Sequence, residues 1–135
     1  LAGFEELILF YRENADFPKG IKKGFEQFLA ESGQQGRILS RYTEGSLQKG
    51  KVYITISDTS LFKILKESMQ HSLELGRDIG LIAHNDSPVK EIIAGGITTI
   101  STDFKQMALD AAQCVLNRNV CQLVIPSRLI RRASL

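Results

Sequence analysis

Long apolar runs are missing from this chain of 135 residues. No stretch approaches the roughly 20 apolar positions that cross a bilayer, so neither a transmembrane helix nor a membrane partner is expected. Cysteine is scarce. Cys114 and Cys121 fall outside the CxxC and CxxxH spacings, which sets aside the common zinc and redox patterns and leads us to expect no disulfide framework. An excess of one charge is lacking too: seventeen basic and fifteen acidic residues leave a net +2, too even to argue for nucleic acid or an anionic membrane face. The densest basic clusters are Lys19, Lys22 and Lys23, which read as solvated surface, and Arg128, Arg131 and Arg132. GxGxxG, the phosphate-loop glycine pattern, the G-x-S-x-G elbow and H-x-x-x-H are all absent, so no cofactor, no metal and no catalytic residue is expected. The start, Leu1-Ala2-Gly3, is neither a signal peptide nor an initiating Met. A piece of a longer protein is therefore expected, with a reducing, cytoplasmic setting as the default.

What is present fits one domain, 43% hydrophobic and long enough to bury a core. Glu6 to Tyr11 is an apolar, aromatic run of strand length, consistent with a strand covered on both faces. Pro18 suits a first helical turn, Ile21, Phe25, Phe28 and Leu29 follow at helical spacing, and Gly33 ends the helix. Arg37 to Tyr42 reads as a second strand and Val52 to Ile56 as a third, rich in β-branched residues. Leu61, Ile64, Leu65, Ser68, Met69, Ser72 and Leu73 form one helical stripe closed by Gly76, with Met69 expected as core filler. Ile79 to Ala83 is a fourth strand. A short helix starts at Asp86 or Ser87 with Pro88 and ends at Gly95-Gly96, and Ile97 to Ile100 is β-prone. Asp103 and Gln106 have the capping-box spacing for a helix with Phe104, Met107, Ala108, Ala111, Cys114 and Val115 on its apolar face, Cys114 as a buried thiol. Ile125 to Arg132 closes the chain as a strand. This alternation predicts an α/β three-layer sandwich with a mainly parallel sheet.

In open parallel sheets, ligands sit beyond the carboxyl ends of the strands. Three polar clusters fall there: Glu13 to Asp16, Ser57 to Thr59, and His84 to Ser87. Their short amides, hydroxyls and acids suit a neutral polyhydroxyl ligand such as a sugar. Asp58 and Asp86 have a plainer reading as helix caps, which leaves Ser57 and Asn85 as the stronger ligand candidates. A hydrolytic set of Ser57, His84 and Asp86 or Asp58 would require His84 within hydrogen-bond reach of Ser57.

The stretches IGLIAHND, GGITTISTDFKQMALDAAQCVL and IPSRLIRRASL resemble the C-terminal part of the effector-binding domain of the lactose-repressor (LacI/GalR) family. ELILFY with FPKGIKKGFEQFLAESG, and VYITISDTSL, are similar to earlier segments of that domain. The wording LIAHNDSPVKEIIAGGITTISTDF is closest to sensor domains joined to GntR-type winged helices. The resemblance implies one lobe of a two-lobe, periplasmic-binding-protein-like fold spanning residues 1–135, with sugar held between lobes and the helix at 104–117 belonging to the partner lobe. It implies a cytoplasmic transcription regulator, homodimeric, reaching DNA through a domain outside this chain and switched by lobe closure. The alternative is a piece of a periplasmic sugar-binding protein of a transporter. Residue by residue, Asn85 and Asp86 match the family's sugar-bonding acidic doublet, Ser57 a ligand-binding Asn, Asp58 a retained acid, and Phe104 a pocket wall, with Thr102 a polar neighbour. Ile21 stands where the family commonly has a sugar-gripping Arg, a role that Asn14 or Lys19 would have to take. The tail RRAS resembles a basophilic-kinase motif, but reads as the family's closing R-x-S strand.

Overall fold

The computed structural model describes residues 3–118 and 120–135. Its elements are β1 (Glu6–Phe10), α1 (Lys19–Ser32), β2 (Gln35–Leu39), β3 (Lys51–Thr55), α2 (Asp58–Gln70), β4 (Gly80–His84), α3 (Pro88–Ile92), a 3-10 turn at Ile93–Gly95, β5 (Thr98–Thr102), α4 (Phe104–Leu116) and β6 (Ser127–Ile130). The strands form one sheet of order β2-β1-β3-β4-β5-β6, parallel except for the final antiparallel pair.

Successive side chains on a strand point to opposite faces, so a strand buried on both faces reads as continuously apolar. β1 does so: Ile8 and Phe10 join Tyr53, Leu81, Ala83 and α2's Leu61, Ile64 and Leu65, while Leu7 and Leu9 join Val52, Ile82 and α1's Phe25. Helices α1 and α2 thus cover opposite faces, which makes three layers. Leu61 and Ile64 are fully buried, each stabilising the fold by about 1.5–3 kcal/mol relative to exposure. Gly33 ends α1 in the left-handed region (φ 68°) and donates to the Leu29 carbonyl, and Asp103 caps α4 by accepting from the Gln106 amide.

Several expectations are corrected. Pro18 is the N-cap of α1, not its first helical residue. Helix α2 ends at Gln70, before Gly76 is reached, and Met69 is 80% exposed because it lies two turns after the 51% exposed Phe62 on the flank of α2, while Ser68 beside it is buried. The caps of α2 and α3 are Ser57 and Ser87, one residue away from the acids Asp58 and Asp86. Cys114 and Cys121 form a disulfide, and Cys114 is half-buried. Apart from these corrections, no residue of α4 is buried, and Phe104, Met107, Leu109, Val115 and Leu116 are all exposed.

The tail is stitched across the sheet. The fully buried Ser134 hydroxyl accepts from the Thr98 amide at 2.7 Å and donates to the Leu81 carbonyl at 2.6 Å. Arg132 donates its amide to the Thr98 hydroxyl at 3.0 Å. This buried seat leaves RRAS as structure, not as an accessible kinase motif. Among the described residues no helix is long and apolar enough to cross a membrane.

Candidate functional site

Because β1, β3 and β4 are adjacent and parallel, the loops after them open at one edge of the sheet. The β2 tip joins them from the other side of β1. The chain leaves β1 for α1 on one face and leaves β3 for α2 on the other. The two loops diverge there, and such a switch point is where open α/β sheets leave a crevice. A hollow of about 220 Å³ lies at this point, lined by Phe10, Arg12, Phe17, Ser40, Arg41, Tyr42, Ser57, Thr59, Ser60 and Lys63.

Its floor is aromatic. Phe10 meets Tyr42 edge-on at 5.7 Å and stacks on Tyr53 at 6.1 Å between ring centres. Tyr42 donates its hydroxyl to Glu67, which also accepts from the Gly45 amide at 2.8 Å. Burial and that bond raise the Tyr42 hydroxyl's pKa, so the hollow receives only the ring. Burial pushes the Glu67 carboxyl up, yet the bonds from Tyr42, Gly45 and Leu47 hold it below its ordinary value. Ser57 caps α2 through its backbone alone: its carbonyl accepts from Leu61 and from the Thr55 hydroxyl, leaving its own hydroxyl outside the cap. The Arg12 guanidinium sits 5.9 Å over the Phe17 ring.

The β4 end of the rim is built differently. Asn85 is left-handed (φ 59°), a conformation that asparagine tolerates better than most residues. Its amide donates to the Ile100 carbonyl at 2.9 Å, and its side chain has no hydrogen bond among the described residues. Asp86 is held bidentate by Arg132, both contacts 2.8 Å, and that guanidinium keeps its carboxyl below the ordinary value. Arg132 also donates to the Ile97 carbonyl at 2.8 Å, passing over Gly96, where a Cβ would come within 2.9 Å of the Arg132 side chain. Lys90, buried in α3, donates to the His84 and Asn85 carbonyls at 3.0 and 2.8 Å and pairs with Asp58 at 2.8 Å. Much of the hydrogen-bonding chemistry after β4 therefore holds the loop itself.

Of the residues singled out from the sequence, Ser57 lines the hollow, and Asp58, Asn14, Lys19, Asn85, Asp86 and Phe104 do not. Asp58 is tied to the β4 loop through Lys90. Asn14 and Lys19 are exposed, and Phe104 is 49% exposed at the start of α4. Ile21 packs in the core under α1. Sequence reasoning missed Arg12, Ser40, Arg41, Ser60, Lys63, Lys90 and Arg132. Ser40 and Arg41 were assigned inside a strand spanning 37–42, whereas β2 ends at Leu39 and puts both on its tip. The Ser57 and His84 side chains make no hydrogen bond to each other, so the contact a triad requires is not formed. Burial, then the nearby Lys90, lowers the His84 pKa. Among the described residues no group of three or more His, Cys, Asp or Glu could hold a metal ion.

No protein-family model matches the chain, and no curated protein matches it in sequence. Solved structures do match in fold. A probable maltose operon transcriptional repressor from Staphylococcus aureus superposes with a TM-score of 0.75 at 19% identity, covering 98% of this chain and 54% of that one. A periplasmic binding protein/LacI transcriptional regulator from Alkaliphilus metalliredigens, complexed with D-xylulofuranose, gives 0.74 at 11% identity, with 98% and 57% covered. The lac repressor dimer bound to operator and an anti-inducer gives 0.70 at 15% identity, with 98% and 46% covered. The chain spans about half the length of these proteins. The mixed α/β fold with its mostly parallel six-stranded sheet is that of one lobe of the LacI and periplasmic-binding-protein-like architecture.

Proposed function

We propose that this chain is one lobe of a sugar-sensing effector domain of a bacterial transcription regulator. The observation that carries the reading is the hollow at the β1/β3 switch point, on the rim where the parallel strand tips open together. Fold alone does not assign function, but the neighbours support the class: two are described as repressors, and one was solved with a sugar. Helix α4, with no buried residue, belongs to the partner lobe and is covered there. Ligand drawn between the lobes favours the closed arrangement in proportion to its differential affinity, and closure resets the spacing of paired DNA-binding domains in a homodimer. Ser57 meets the ligand in the hollow, Asn85 offers, further along the rim, a side chain unbonded among the described residues, and Asp86 shapes the β4 loop from its ion pair. The likeness of the β4–α4 wording to GntR-linked sensors supports a winged helix as the DNA-binding part, in the cytoplasm.

A second reading, the sugar-binding protein of a transporter, is favoured by one observation: the Cys114–Cys121 disulfide, a bond that persists in oxidising compartments. Band-shift titration of the full natural protein on the DNA upstream of its own gene, with and without sugars, separates the two. Sugar-dependent release or capture of DNA is expected. Sugar binding with no DNA retention under any condition overturns regulation and leaves transport. A ligand at a hundred times its dissociation constant should also add about 2.7 kcal/mol of stability.

A further inference from the structure

Four acids on the rim are matched by cations. Glu13 is paired with Lys22, Asp58 with Lys90, Asp86 with Arg132, and Asp103 with Arg128. The cations around the β1/β3 hollow are not matched in the same way. Arg12 and Arg41 form no ion pair among the described residues, and Lys63 has only a loose contact with Glu44, 3.9 Å between two half-exposed or more exposed side chains. No carboxylate lines the hollow. Its remaining polar lining is four hydroxyls, from Ser40, Ser57, Thr59 and Ser60, over the rings of Phe10, Phe17 and Tyr42.

We infer that this hollow takes an anionic polyol, a sugar bearing a carboxylate or a phosphate, rather than the neutral sugar suggested by the short polar clusters of the sequence. The inference rests on the sugar-sensor reading and narrows its ligand. Hydroxyls that both donate and accept suit the polyol part, and ring faces suit its C–H surface. Arg12 and Arg41 supply planar forks that match a carboxylate or a phosphate, and Lys63 adds a flexible point charge. A neutral sugar would leave Arg12 and Arg41 without a counterion, and Lys63 with only its loose Glu44 contact, around one small space.

The test titrates the full natural protein, both lobes present and isotope-labelled, by NMR, with matched sets: glucose, gluconate and glucose 6-phosphate; arabinose, arabinonate and arabinose 5-phosphate; and inorganic phosphate alone. Amide signals of Ser40, Arg41, Ser57 and Ser60 should move at lower concentrations of the charged members than of the neutral ones. The stronger of the two charged forms identifies carboxylate or phosphate as the group read. Arg41→Gln and Arg12→Gln should each weaken the charged sugar about tenfold, the loss of one charge-assisted contact, and weaken the neutral sugar clearly less. Lys23→Gln, a charge removed from the exposed face of α1, should change nothing. Equal response to neutral and charged sugars, or indifference to both Arg variants, overturns the anion inference and leaves the sensor reading intact. Inorganic phosphate acting as strongly as the sugar phosphates overturns the polyol part. Silence of these amides toward every sugar removes the sensor reading itself.

Discussion

Two ends of one rim use their polar side chains in opposite ways. At the β4–β5 end, Asp86, Arg132, Lys90 and Asp58 are spent on one another and on carbonyls of their own loops. At the β1–β3 end, Arg12, Arg41 and four hydroxyls face a hollow with few protein partners. Polar groups that satisfy each other rigidify a loop, whereas groups left toward solvent are available to something else. The rim thus has a fixed half and an open half, and a polar cluster in a sequence does not by itself say to which half it belongs.

The largest effect should come from breaking the fixed half at its centre. Arg132→Ala leaves Asp86, whose side chain is 25% exposed, as an uncompensated and mostly buried charge, and strips a donor from the Ile97 carbonyl. Denaturant melts should show a loss of about 3 kcal/mol, the low end for a broken buried pair because Asp86 keeps some contact with water. Next comes Lys90→Met, which keeps the apolar stem but removes the donor shared by the His84 and Asn85 carbonyls. About 2 kcal/mol should be lost, within the range for unsatisfied buried groups. Losses below about half a kilocalorie in both variants would mean that this end is not held by its ion pairs, and the contrast would fail.

A change of pH tests the same half without mutation. Asp86 has its carboxyl pKa lowered by the Arg132 hydrogen bonds, and Glu67 ends below its ordinary value despite burial. A depressed carboxylate contributes stability that is fully present above its unfolded value, about 4, and is lost as pH falls through the folded value. Stability should therefore fall as the solution is acidified below about pH 4, and the fall should be shallower in Arg132→Ala, where the Glu67 and Asp78 shares remain. An unchanged acid slope in that variant would show that Asp86 is not the group responsible.

The fold was legible in the sequence because it rests on periodicity. The α2 stripe and the continuous apolar β1 each have few ways to be buried, and the element order follows. The edge on which the loops open was readable from handedness and order. Which loops form the hollow was not, since the neighbour of β1 depends on strand order, and a three-residue error at the end of β2 hid Ser40 and Arg41 inside a strand. The pairing of Asp86 with Arg132 spans 46 residues, a separation over which no local pattern operates. Met69 misled for a different reason: it stands at the margin of the α2 stripe, where Leu65 and Ser68 take the buried side and Met69 shares the exposed flank of Phe62.

The smallest expected effect is the most informative about the open half. Arg41→Gln removes an exposed guanidinium that makes no ion pair among the described residues, so stability should change by less than about 0.5 kcal/mol, as for surface positions without special contacts. Melting temperatures of Arg41→Gln and of the parent, measured side by side without ligand, should coincide. The two should separate when a charged sugar is added, with the parent gaining stability by mass action and the variant gaining less. A clear loss without ligand would place Arg41 among the groups that hold the rim, and the division between its fixed and open halves would move from β4 to β2.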